Sequence, residues 1–213
     1  MKKILKTVPL LGLAALLVTS SFVLAQDKKD EKPKEAPKRE KAAAAEVGKA
    51  APAFELKDID GKTVKLSDYK GKIVVLEWFQ PTCPYDIKGY DEGGNCRATG
   101  AALEKEGVTV LLVNSSTAKN ENADPKANVE FFKSRKLTPR LLMDPEGTVG
   151  HAYGAKSTPH CMVIDAKGNL AYRGAIDNAM EKDAKEKVNY VESAVRELKA
   201  DKPVTTKETR SYG

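Results

Sequence analysis

The chain of 213 residues is short of cysteine, and it has only Cys83, Cys96 and Cys161. Three thiols exclude a disulfide-stapled scaffold, allow at most one internal disulfide, and leave at least one thiol unpaired in a monomer. A Cys-rich loop with metal-ligand spacing is missing too, so no metal and no cofactor is expected. There is no internal repeat. A basic stripe is also absent. Of the formal charge of +6, residues 1–25 carry three lysines and residues 26–46 carry seven basic against six acidic side chains, leaving +2 interleaved over the rest. That balance excludes a nucleic-acid partner.

Only one long apolar run exists, residues 9–24, and it is shorter than the roughly 20 residues of a spanning helix. It follows Lys2, Lys3 and Lys6 and ends in small residues at Ala25, which is the pattern of a cleavable export signal. No Cys stands near the expected cleavage point to accept a lipid. The expected mature chain therefore has no membrane span and is periplasmic or secreted. Residues 26–46 mix Lys, Glu, Pro and Ala without an aromatic side chain, and they are expected to form a flexible charged linker. Residues 47–200 suit one domain with a single core, and residues 201–213 form a tail.

Within the domain, residues 54–57 and 63–66 flank Asp60-Gly61 as a hairpin. The run IVVLEWF at 73–79 is apolar on both faces except for Glu77, as in a central strand. Residues 84–106 are helical in composition but broken at Gly93-Gly94, and residues 108–113 form another buried strand. Asp124-Pro125 begins a helix anchored by Val129, Phe131 and Phe132. Residues 141–143 form a brief strand, and residues 161–164 and 170–172 form a second hairpin. Val188, Val191, Val195 and Leu198 form the apolar stripe of a last helix. This order describes an α/β domain with a central mixed β-sheet flanked by helices.

The strand at 73–79 runs into Pro-Thr-Cys-Pro, which sets Cys83 at a helix start, where free N–H groups and the helix dipole favour a nucleophilic thiolate. Pro84 suits the first helical turn. The segments GKTVKLSDYKGK, VVLEWFQPTCPYD and YGAKSTPHCMVIDAKGNLAYRGAID together resemble the redoxin group, the AhpC/TSA (peroxiredoxin-like) family of the thioredoxin superfamily. The resemblance spans residues 47–198 and implies a thioredoxin-like fold. It also implies a reactive Cys83 facing a cis-proline, Pro159, with Thr158 and Pro159 offering backbone to a substrate.

Two departures from the family patterns involve three positions. The second thiol of thioredoxins, three residues after the first, is replaced by Asp86, an accessory candidate; aligned in that way, the peroxidatic position is also Asp86. Seven and three residues before Cys83, where peroxiredoxins keep Pro and a hydroxyl, stand Leu76 and Gln80. Glu77 lies where thioredoxins keep a buried acid, and is read as either a proton carrier or an edge-facing residue. His160 either tunes the thiolate or covers a strand end. Cys161 is either a partner for Cys83 or a core thiol, and His151 is expected at the surface. Cys96, thirteen residues after Cys83, would reach it only if the chain folded back at Gly93-Gly94. Relatives grouped with this chain continue past a Tyr-Gly with a further Cys, and none follows Gly213 here.

The resemblance implies thiol–disulfide exchange through Cys83, with an external thiol or disulfide reductant as partner and a protein or small-molecule disulfide as substrate. One alternative is antioxidant reduction of a hydroperoxide through a Cys83 sulfenic acid. Another is a non-catalytic thiol or copper-binding module built on Cys83, His160 and Cys161.

Overall fold

The computed structural model describes residues 44–117 and 119–213. The expected export signal and most of the expected linker lie outside the described residues. Ala45, near the end of that linker segment, belongs with the folded body: its N–H donates to the Ala152 carbonyl (2.8 Å), and Arg173 Nη1 donates to its own carbonyl (2.7 Å).

The first hairpin pairs β1 (Glu55–Asp58) with β2 (Thr63–Lys65). Then come β3 (Val74–Trp78), helices α1 (Pro84–Tyr90) and α2 (Asn95–Lys105), and β4 (Thr109–Asn114). Helix α3 (Pro125–Arg135), β5 (Arg140–Met143) and the short α4 (Thr148–Tyr153) follow. The second hairpin, β6 (His160–Ile164) and β7 (Leu170–Gly174), leads to α5 (Tyr190–Lys199). The strands form one sheet in the order β2-β1-β5-β4-β3-β6-β7. β3 and β4 run parallel, as do β4 and β5, and the other neighbours are antiparallel, so the sheet is mixed as expected.

Alternation along the central strands divides the core. Val75 and Phe79 face the side packed with Tyr90, Leu103, Phe131 and Val195, while Val74, Leu76 and Trp78 face the side packed with Val149 and Tyr153. Both faces of β3 are covered, which is why its run is almost wholly apolar. Glu77 shares the face of Val75 and Phe79, so the one charged residue of the run points beneath the helices. It is buried, not edge-facing.

Two helix starts, those of α3 and α5, follow the chemistry of their caps. The Asp124 side chain accepts from the Lys126 N–H at 2.9 Å, with Pro125 in the first turn of α3. The stripe of the last helix needs one correction. Val188 lies outside α5 and is exposed, because Asn189 caps the helix by accepting from the Glu192 N–H (3.0 Å), and Val188 instead pairs with Asn178 across a loop. Ala194 takes its place in the buried stripe with Val191 and Val195.

The break at Gly93-Gly94 is a true fold-back. α1 and α2 pack so closely that a Cβ on Gly89 would stand 2.5 Å from Cys96 Sγ, and one on Gly94 would overlap the Gly89 carbonyl. Gly94→Ala is therefore expected to lower stability by about 2 kcal/mol through this overlap. Gly100→Ala, inside α2, would meet only Pro139 at 3.9 Å and is expected to be neutral or to gain up to about 1 kcal/mol from helix propensity. Urea unfolding of the two variants checks the contrast.

Candidate active site

Cys83 is the N-cap residue of α1, with Pro84 in the first turn. The N3 position is Asp86, whose Oδ2 reaches back to accept the Gln80 N–H at 2.7 Å and so braces the loop leading into the helix. Antiparallel register pairs Trp78 with His160, which brings the loop after β3 beside the loop before β6. There the Thr158–Pro159 bond is cis, and the Thr158 carbonyl accepts from Cys83 Sγ at 2.9 Å. Only the protonated thiol can donate this bond. Cys83 is 8 % exposed, so the sulfur sits just under the surface. Beside it, a cleft of about 420 Å³ is lined by Gln80, Ser116, His151, Ser157 and Thr158.

Two acids lie beneath the thiol loop. Glu77 is 3 % exposed and Asp86 fully buried, and among the described residues Glu77 Oε1 and Asp86 Oδ1 have no hydrogen-bond partner. Burial pushes the Glu77 carboxyl up to about 7, against the opposing pull of the Tyr90 hydroxyl and Cys96 thiol beside it. Burial and then the charge of Glu77 push Asp86 up to about 8, while the Gln80 N–H and the Thr158 hydroxyl pull it down. Such carboxyls can hold or release a proton near neutral pH.

The other expected residues separate by environment. Cys161 lies opposite Glu77 in the β3–β6 register and is fully buried, and burial followed by the Glu77 charge raises its thiol well above the ordinary range. Cys96 is raised in the same way, and all three cysteines are free. Cys161 is thus the core thiol of the two readings. His160 is buried, with Nδ1 accepting the Lys156 N–H at 3.2 Å; burial, then the charges of Arg173 and Lys156, lower it to about 4. It covers the start of β6 as a neutral ring, and His151 is exposed. No three His, Cys, Asp or Glu side chains group as metal ligands among the described residues, so the copper set of Cys83, His160 and Cys161 does not assemble. No helix among the described residues is long and apolar enough to cross a membrane.

The AhpC/TSA family pattern matches residues 47–173, more than half of the chain and the whole of this site. The chain belongs to the AhpC/TSA family. A thiol-disulfide oxidoreductase ResA of Geobacillus thermodenitrificans is 34% identical over 139 residues, covering 62% of this chain and 70% of that one. A putative peroxiredoxin bcp of Coxiella burnetii is 32% identical over 113 residues, covering 51% and 66%. Among solved structures, an uncharacterized conserved protein from Geobacillus kaustophilus superposes with a TM-score of 0.68 at 25% identity, covering 78% of this chain and 88% of that one. A putative thiol:disulfide interchange protein DsbE from Chlorobium tepidum shares the fold at a TM-score of 0.50 and 24% identity, covering 61% and 85%. The α/β fold of this AhpC/TSA member is thus thioredoxin-like.

Sequence reasoning missed two features of the site. Tyr90 and Cys96 flank Glu77 because the helices fold back at the glycines, and Ser211 and Gly213 reach the Thr158 loop. The raised acids carry a pH signature. Between the ordinary value near 4.5 and about 7, the folded chain keeps the Glu77 proton that the unfolded chain has lost, so stability falls as pH rises through that window. At about 1.4 kcal/mol per unit, the loss is roughly 3 kcal/mol, and Glu77→Gln should remove it. Urea midpoints of wild type and variant at pH 5 and pH 8 check this; parallel slopes would count against a raised Glu77.

Proposed function

We propose that this chain is an exported thiol–disulfide oxidoreductase acting through one cysteine, Cys83, carried on a domain of residues 47–200. The observation that carries the reading is the meeting of Cys83, at the start of α1, with the Thr158 carbonyl before cis-Pro159, while the other two thiols lie in the core. Relatives named as thiol-disulfide oxidoreductases support it. Export rests on the charged, apolar and small-residue pattern of residues 1–25.

In the proposed reaction the Cys83 thiolate attacks one sulfur of a disulfide. A Cys83–sulfur bond forms as the old sulfur–sulfur bond breaks, and the departing thiolate takes a proton. Glu77 serves as proton carrier, with Asp86 as accessory because its carboxyl meets both the loop before Cys83 and the Thr158 hydroxyl. The Thr158–Pro159 backbone holds the substrate. Asp86 stands where a dithiol relative keeps its second sulfur, so an external thiolate must attack the mixed disulfide to return Cys83 and complete the exchange.

Hydroperoxide reduction is the second reading, favoured by relatives named as peroxiredoxins. In it the Cys83 thiolate attacks a peroxide oxygen, becoming sulfenic acid and releasing water or an alcohol. The peroxide-site positions hold Leu76, fully buried on the far face of β3, and Gln80, whose side chain donates to Ser116 Oγ at 3.1 Å. Neither supplies the Pro and hydroxyl of that site.

Parallel turnover with a disulfide plus external thiol and with hydrogen peroxide tests the choice. Disulfide turnover is expected in wild type and none in Cys83→Ser, with Glu77→Gln slower by roughly a hundredfold if it carries the proton. Peroxide oxidation of Cys83 is expected near the rate of a free thiol. Fast peroxide oxidation with no disulfide turnover would reverse the assignment.

A further inference from the structure

The segment after α5 returns to the site. Lys207 and Thr209 bond the backbone of Arg173 on both sides (3.0 and 3.1 Å), laying Glu208 parallel to the edge strand β7, and the Arg173 guanidinium pairs with the Glu208 carboxylate. Thr209 Oγ1 contacts the Tyr172 hydroxyl (2.6 Å) and accepts the Ala175 N–H (2.9 Å). Past this anchor the chain crosses to the thiol. Ser157 Oγ donates to Ser211 Oγ at 2.8 Å. The Tyr212 ring lies 6.0 Å from that of Tyr85 on α1, and its hydroxyl donates to Asp177 Oδ1 (2.7 Å) and accepts from Asn95 Nδ2 (3.0 Å). Gly213 then packs on the backbone of Thr158, so tightly that an added Cβ would overlap its carbonyl oxygen and stand 2.7 Å from its carbonyl carbon.

That carbonyl is the one that accepts the Cys83 thiol. We propose that residues 211–213 are a displaceable cover, filling the backbone seat at Thr158 that an extended polypeptide disulfide must take to reach Cys83. The inference rests on reading Thr158–Pro159 as the substrate seat. The cover is built to leave. Its anchor at Lys207–Thr209 stays on β7, whereas the part over the site is held by one serine contact, one tyrosine latch and the fit of a glycine without a side chain. The partner is a polypeptide because the seat is filled now by the backbone of Gly213, with Ser211 bonded to Ser157 beside it and Tyr212 latched by its ring against Tyr85. Tyr85 and Met180, both exposed, line a cleft of about 890 Å³ that continues from Tyr212 and can receive the flanking residues of such a partner.

The test compares Cys83 alkylation by iodoacetamide in the full chain, in a variant lacking residues 211–213, and in Tyr212→Ala, each with Cys96→Ser and Cys161→Ser so that one thiol reports. Thermal unfolding establishes that each variant is folded, and if the deletion is not, Tyr212→Ala decides. Both variants keep the anchor, and alkylation should rise by roughly tenfold if the seat is filled about nine-tenths of the time. Equal rates in folded variants would overturn the cover. Disulfide turnover is measured separately: faster alkylation without turnover in any form would uphold the cover and count against the proposed oxidoreductase.

Discussion

The antiparallel register of β3 with β6 is the constraint on which the site depends. With Trp78 opposite His160, the end of one strand and the start of the other lie side by side, so Cys83 and Thr158 meet across two loops that are 75 residues apart in sequence. A slip of β6 by one residue would turn Cys161 from the face packed with Tyr90, Leu103 and Val195 to the face packed with Val149 and Tyr153, and drive Met162 the opposite way. Large apolar side chains on both faces of both strands prevent that slip. The thiol is therefore held by core packing and not by its own single hydrogen bond, which is broken whenever the sulfur ionises.

Beneath the thiol the fold keeps two acids that it would be more stable without. Each is buried, each is raised by that burial, and each leaves one oxygen without a partner among the described residues. Asp86 offsets part of its cost by bracing the loop before Cys83. Glu77 is met by the Tyr90 hydroxyl and the Cys96 thiol on one oxygen only, and a buried carboxyl left half-partnered near a cysteine is the environment that the proposed proton carrier requires. Burial, and then the charge of Glu77, raises the neighbouring thiols Cys96 and Cys161 and keeps both protonated, in accord with the role proposed for Cys83.

Local signals were legible in the sequence where one residue type had one physical use. Alternation and apolar runs marked the strands, Asp124-Pro125 marked a helix start, and Gly93-Gly94 marked the break between α1 and α2. Cys83 at the helix start was expected from the strand that runs into Pro-Thr-Cys-Pro, and the cis bond before Pro159 from the resemblance to the redoxin group; both are present. Illegible were features that depend on which parts of the chain meet. Nothing in the spacing of Cys83 and Cys96 shows that the fold-back sets Cys96 beside Glu77. Val188 fits the helical period, yet the Asn189 cap begins α5 after it. The polar sequence from 205 to 213 carries no apolar pattern, and its place is set by parts of the fold distant in sequence, among them the open edge of β7, Tyr85 on α1 and the backbone of Thr158.

The proposed exchange turns on a single reactive sulfur, Cys83, whose mixed disulfide waits for an outside thiol. Intact-mass and peptide mapping after reaction of the reduced chain with oxidised glutathione tests this most directly. The account predicts one glutathione adduct, on Cys83, that persists until an external thiol is added. Loss of the adduct without added thiol, with a disulfide from Cys83 to Cys96 or Cys161 in its place, would contradict it.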